Sequence, residues 1–303
     1  MNQVLENLNV PKGKIDVVLD TDAFNEIDDQ FAISYMIKST EKLNVKAIYA
    51  APFLNENSTS PKDGMEKSYD EILKLLKLAQ REDISKSVFK GSDKYLDNEE
   101  TPVISDAAKH LSELAKSYSP QNPLYVVEIA TITTIASAIL LNPEIAENLV
   151  VVWLGGHALS FDNTAEFNMV QDIAAARVIY KSKAAFVQLP CMGVVDSFRI
   201  SKPELIEWLK GKNALSDYLA EYSINAADSY ALGKPWSRVI WDVTAVAWLL
   251  NDDDRFMHSR IIPKHLPNYD AQYNLAPMDS LMRFVYSIER DSLMEDMINK
   301  LTR

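Results

Sequence analysis

Cysteine is nearly absent: Cys191 alone among 303 residues excludes an intrachain disulfide and points to a reducing compartment, so the cytoplasm is the expected location. Its setting, Leu-Pro-Cys-Met-Gly, offers no basic neighbour to activate it, and a buried inert thiol is expected. Positive charge is also scarce, 31 Lys and Arg against 43 Asp and Glu. The resulting net charge of -12 argues against a nucleic-acid backbone or an anionic membrane as partner. A small neutral or cation-assisted ligand fits better. No basic region followed by an apolar core opens the sequence, so no signal peptide is expected. The longest apolar run, residues 124–141, contains Glu128 and passes from a β-branched half to a helix-like half ending at Asn142-Pro143. A buried strand running into a buried helix explains it better than a membrane span. No linker or internal repeat divides the chain, and one domain over residues 1–303 is expected.

What is present is an alternation of short β-branched runs and helical patterns. Strands are expected over 15–19, 45–50, 88–89, 124–129, 149–154 and 184–189. Helices are expected between them, over 28–38, 62–80, 106–117, 134–141 and 173–180. Such alternation implies an α/β fold with a mainly parallel sheet, helices on both faces and a ligand at the carboxyl ends of the strands. Beyond Val195 the pattern turns helical, over 202–210, 214–230 and 239–250. Short alternating runs at 260–262, 272–274 and 283–287 follow, with a last helix from Asp291, so a helical flank is expected on this side.

The first strand ends in a concentration of acid: Asp20 and Asp22, then Asp28 and Asp29 where a helix begins. Four like charges this close repel, and they persist around a cation, a ligand or a proton-transfer task. A hard divalent cation takes several oxygen ligands, and Asp22 and Asp29 offer two from the ends of one loop. Asp242, opening the apolar run Val243 to Leu250, is either a third carboxylate or a plain helix cap. Glu166 and Asn168, two apart in an extended segment, would face the same way and bind adjacent sugar hydroxyls; the bland alternative is a loop leading to a helix capped near Asp172. The acidic runs 251–255 and 98–100 read as solvated turns.

Taken in order, Asp-Thr-Asp with the Asp28-Asp29 pair, the Thr131 to Ala136 segment, Gly155-Gly156, the Glu166 to Ala176 segment and Trp241-Asp242 resemble the calcium-dependent nucleoside hydrolases of the inosine-uridine-preferring type. The resemblance covers the chain to about Leu250 and more loosely beyond. It implies hydrolysis of the N-glycosidic bond of nucleosides, a bound Ca2+, a nucleoside as small-molecule partner, and a homodimer or homotetramer. By position it implies that Asp22 touches calcium and is the general base, and that Asp29, Asp242 and the backbone carbonyl of Thr133 complete the metal site. Asp28, Glu166 and Asn168 become ribose ligands, and Asp20 a supporting residue. A ring of carboxylates suits an oxocarbenium-like transition state, whose sugar gains positive charge.

Three departures from the family pattern stand out. Residues 23–27 make the loop between Asp22 and Asp28 two longer than usual, which either bulges outward or brings Asn25 or Glu26 into the pocket. Trp241 replaces a histidine of many members; it either stacks on a purine, as in the purine-preferring branch, or belongs to the core. Phe53 stands where an asparagine is usual, and Asn55 is expected to supply that ribose contact. His157 and His110 are spare acids or packing residues, and Trp236 and Tyr230 either line the base pocket or pack. Two rival readings remain: a nucleoside-binding protein without turnover, and a phosphatase of the haloacid dehalogenase type built on Asp20-Thr21-Asp22.

Overall fold

The β-branched run before the aspartates forms strand β1, Ile15–Thr21, and the computed structural model describes residues 3–303 around it. The other strands are β2 Leu43–Ala50, β3 Val88–Lys90, β4 Leu124–Glu128, β5 Leu149–Leu154, β6 Ala185–Leu189, β7 Arg199–Ser201, β8 Ser237–Val239, β9 Met257–Pro263 and β10 Leu281–Ile288. Eight of them form one sheet in the order β3-β2-β1-β4-β5-β6-β10-β9, parallel except at β9. The chain winds outward from β1 to β3, then returns to β4 and winds the other way. The switch point therefore lies between β1 and β4, where open α/β sheets leave a crevice for ligands.

Helices cover both faces, and the hydrophobic core divides accordingly. One half holds Val17 and Leu19 with Phe31, Leu75 and Trp248; the other holds Val18 and Val126 with Leu111, Ile135 and Ile179. This is the alternation of a strand buried on both sides. Helix starts follow the expected capping chemistry: Ser60 accepts from Asp63 N at 3.1 Å before Pro61–Leu78, and Ser105 from Ala108 N at 3.1 Å before Asp106–Leu114. Pro61–Leu78 stops short of the expected end because Gln80 turns to φ 57°.

The helical flank is present, with differences. Residues 202–210 begin as a capped turn, Lys202–Glu204, and widen into a π-turn, Leu205–Leu209, instead of one regular helix. The expected helix over 239–250 is shorter, Val243–Leu249, because Val239 ends β8, paired antiparallel with β7, and the chain turns helical only after Asp242. The run at 272–274 makes only an isolated bridge, Pro267 to Tyr273. Glu99 is no solvated turn residue: it accepts from Arg177 Nε at 2.7 Å, Lys181 Nζ at 2.5 Å and Tyr269 Oη at 2.9 Å. Among the described residues, no helix is long and apolar enough to cross a membrane.

Candidate active site

Two helix starts converge at the carboxyl edge of β1. Asp28 occupies the N-cap position of helix Asp29–Lys38, and Asp242 the N-cap position of Val243–Leu249. Neither side chain makes a capping bond, so the bland role expected for Asp242 is not the one it performs. One carboxylate oxygen each from Asp28, Asp29 and Asp242 fall within 4.8 Å of one another. The amino ends of both helices favour negative charge there. Thr21, the last residue of β1, donates from Oγ1 to Asp29 Oδ1 at 2.5 Å and fixes that carboxylate to the strand end.

Asp22 lies one residue past β1, and both its oxygens are buried without a hydrogen-bond partner. Burial, then the charges of Asp29 and Asp28, push its carboxyl well above the usual range. Burial followed by Glu26 and Asp29 does the same to Asp28, and burial followed by Asp28 and Asp29 to Asp242. Asp29 is pushed up to about 6, chiefly by burial, with the Thr21 bond pulling the other way. Orphaned carboxylate oxygens and an all-oxygen donor set fit a hard divalent cation and give softer metals nothing to prefer. Asp22 is outside the trio but on the same cavity wall.

The loop between Asp22 and Asp28 resolves into a pinned turn. Asn25 N donates to Asp22 O at 2.7 Å, and Gln30 Nε2 donates to Ala23 O at 2.7 Å from inside the helix that follows. Ala23 turns into the core, Ile27 is buried between core and cavity, and Asn25 and Glu26 face the cavity. Asn55 Nδ2 donates to Asn25 Oδ1 at 2.5 Å, which places Asn55 on the cavity wall but already engaged.

On the opposite wall, Glu166 is the N-cap of a short helix, Phe167–Gln171, which corrects the extended segment expected there. Its Oε1 accepts from Asn168 N at 2.9 Å, and its Oε2 from Gly156 N at 2.9 Å and Met169 N at 3.1 Å. Glu166 and Asn168 both line the cavity, brought together by the cap rather than by strand alternation. Asn168 Nδ2 donates to Leu154 O at 3.1 Å. Gly156 sits at φ 71°, and a Cβ there would lie 2.5 Å from Tyr273 Oη, so the turn that delivers its N–H to Glu166 requires glycine.

Thr133 is buried and donates from Oγ1 to Asp172 Oδ2 at 2.6 Å. It does not line the cavity. Asp172 caps Ile173–Lys181 by accepting from Ala175 N at 2.9 Å, as expected of it.

The cavity holds about 940 Å³. Asp22, Asp28, Asp242, Glu166, Asn168 and Asn55 line it, with Trp241 half-buried between core and pocket; Asp29 is set behind its neighbours. His157 and Tyr230 line it too. His110 does not: it stacks on Phe89 at 4.1 Å and bonds Tyr49. Trp236 is a packing residue whose indole donates to Asp228. Sequence reasoning missed the place of Cys191, whose thiol lines the cavity and is pushed up by burial and by the Glu166, Asp242 and Asp28 charges. Its position just past β6, on the same strand edge, was the available signal. Tyr222, Asn225 and Arg238 on the outer wall gave none.

A model of the inosine-uridine preferring nucleoside hydrolases matches residues 17–276. No curated protein sequence matches. Among solved structures, a plant nucleoside hydrolase is 18% identical, covers 96% of this chain and 99% of its own, and superposes with a TM-score of 0.72. The purine-preferring ribonucleoside hydrolase from Gardnerella vaginalis, also 18% identical, covers 95% and 98% with a TM-score of 0.72. An inosine-uridine preferring nucleoside hydrolase from Bacillus anthracis is 15% identical, with 95% and 99% covered and a TM-score of 0.70. These likenesses show the fold, and the family model, matching nearly the whole sheet and every segment of the cavity wall, shows that the chain belongs to the inosine-uridine preferring nucleoside hydrolases, enzymes that hydrolyse the N-glycosidic bond of nucleosides.

Proposed function

We propose that this cavity hydrolyses ribonucleosides to free base and ribose with a bound Ca2+, and that Asp22 is the general base. The observation that carries the reading is the Asp22 carboxylate, buried and without a partner, on the wall it shares with Asp28 and Asp242. Asp22, Asp29, Asp242 and the Thr133 carbonyl would hold the ion. Calcium bound there supplies a Lewis acid that lowers the pKa of water and offsets part of the carboxylate charge. Asp22 takes the proton of the attacking water as its oxygen bonds to C1′. The C1′–N bond breaks as that bond forms, through an oxocarbenium-like sugar, and its electron pair leaves with the base, which takes a proton from solvent.

Asp28, Glu166 and Asn168 bind ribose hydroxyls in this account, with Asn55 at the rim and Trp241 stacking on the base. Glu166 is suited to its part because three backbone N–H groups hold its carboxylate in one orientation. The remaining carboxylates stabilise the charge that develops on the sugar. We further propose one domain over residues 1–303, acting as a homodimer or homotetramer in the cytoplasm, the last supported by the single cysteine. The phosphatase alternative needs Asp20 as nucleophile, yet that residue is fully buried and does not line the cavity.

Trp241 and the pinned loop favour one rival, binding without turnover. Incubation with a panel of nucleosides and calcium separates the two: equal amounts of free base and ribose support hydrolysis, and saturable binding with neither product supports the rival.

A further inference from the structure

The cavity floor changes character along the sheet. In strand order it passes from Asp22, just past β1, to Ile129 past β4, Leu154 at the end of β5 and Cys191 past β6. Neighbouring strands lie about 4.8 Å apart, so the floor runs roughly 14 Å from its acidic end to its apolar end. Glu166 and Asn168 stand over β5: Gly156 N donates to Glu166 Oε2 at 2.9 Å, and Asn168 Nδ2 to Leu154 O at 3.1 Å. Beyond them the β6 end is pinned by two backbone bonds, Cys191 N to Gly156 O at 2.8 Å and Ala158 N to Met192 O at 3.0 Å.

The groups facing the cavity at this end are carbon and sulfur. Leu154, Phe167, Cys191 and Met192 line it, and the His157 ring packs 5.7 Å from that of Phe161. Cys191 is buried and behaves as a small hydrophobe, whereas Met192 keeps 38% of its surface exposed. Among the described residues, Arg238 is the only Lys or Arg that lines the cavity, and it is bonded to Glu26 and Tyr230 on the outer wall. A phosphate at the β6 end therefore has no Lys or Arg to meet. The cavity volume, about 940 Å³, lies near the top of the range for small-molecule sites and leaves room for a group attached to the sugar.

We infer that the preferred substrates are ribosides whose 5′-hydroxyl is replaced by an apolar group, above all a thioether. The inference rests on the hydrolase reading and names its substrate class. The 2′-hydroxyl neighbours C1′, where the water served by Asp22 attacks, so the diol edge of the sugar lies at the β1 side of the floor. C4′ and its 5′ substituent lie across the ring, past Glu166 and Asn168, toward Cys191 and Met192. A 5′-hydroxyl there would exchange water for a wall of carbon and sulfur, a desolvation cost that a thioether avoids. Its polarisable sulfur also suits the Phe167 ring and the Met192 side chain. The hydrolysis is the one described above, and the 5′ group takes no part in it.

The test compares kcat/KM for 5′-methylthioadenosine with adenosine and for 5′-methylthioinosine with inosine, so that base and scissile bond are the same within each pair. The methylthio member is expected to exceed its partner by about 10-fold, as for the burial of two further methylene-sized groups. Met192→Asn and Cys191→Ser should each lower that ratio by roughly 3- to 10-fold, because each puts a polar group where the thioether packs. Met192 is partly exposed, so its variant keeps the test intact if Cys191→Ser fails to fold. A ratio of one or below in the native protein, or a ratio that neither variant lowers, overturns the inference. Hydrolysis of adenosine or inosine in that case leaves the hydrolase reading standing, whereas no hydrolysis of any of the four substrates overturns both.

Discussion

Arg238 Nη2 donates to Glu26 Oε2 at 2.5 Å, joining the strand before Trp241 to the loop between Asp22 and Asp28. Arg238 Nη1 also reaches Tyr230 Oη at 3.0 Å, so one guanidinium ties three parts of the cavity wall together. Glu26 is about half exposed, with 47% side-chain accessibility, and such a pair contributes under about 1 kcal/mol to folding. Glu26→Gln and Arg238→Ala should therefore leave thermal stability nearly unchanged while raising KM several-fold, because the loop that carries Asn25 and Glu26 loses its outer anchor. Steady-state kinetics beside thermal melts check this; a large loss of stability with KM unchanged would mean that the pair serves the fold instead.

Calcium should stabilise the protein more at neutral than at acid pH. Without metal, Asp29 is raised from 3.8 to about 6 and Asp20 from 3.8 to about 7, with Asp22, Asp28 and Asp242 raised as well. Raised carboxyls bind more protons folded than unfolded, so their contribution is complete below about pH 4 and is lost as pH rises through about 6 to 7. Melts in a chelator should accordingly show the melting temperature falling across that window, and excess calcium should flatten the fall. A chelated protein whose stability rises from pH 4 to pH 7 would contradict the assignment of these groups.

Glu166 combines a cap with a proposed sugar contact, and its removal should show both. Glu166→Ala leaves three N–H groups without their acceptor and costs about 1 kcal/mol or more, typical of a lost cap. For a chain of this size that is a fall of roughly 1 to 2 °C in melting temperature for each kcal/mol. Glu166→Gln, which keeps one of the two acceptor oxygens, should recover part of the stability and little of the affinity for nucleoside. Equal recovery of both would reduce Glu166 to a structural cap.

The doubly wound sheet was legible in the sequence because each strand is a β-branched run bounded by a helical pattern. Asp22, Asp28 and Asp29 were legible because acids crowded at one strand end repel unless a cation, a ligand or a proton-transfer task holds them there. Other parts gave no local signal. The helix at Phe167 spans five residues and is capped by glutamate rather than by the usual Ser, Thr, Asp or Asn, so the segment read as extended. Strands β7 and β8 have three residues each, too few for any periodicity. The Glu26–Arg238 bond joins positions 212 apart, and no pattern along the chain announces such a contact. Asp242 was offered as a third carboxylate by its place ahead of an apolar run, but that segment alone reads more readily as a helix cap, and the family resemblance is what favoured the site.

The most direct measurement is release of ribose from 4-nitrophenyl riboside by the native protein and by Asp22→Ala, each with calcium and with a chelator. Native protein should release ribose only with calcium, and Asp22→Ala, folded by circular dichroism, should lose about 10²- to 10⁴-fold in kcat, the span of a general base. Undiminished release by Asp22→Ala, or by the native protein in chelator, would contradict the account.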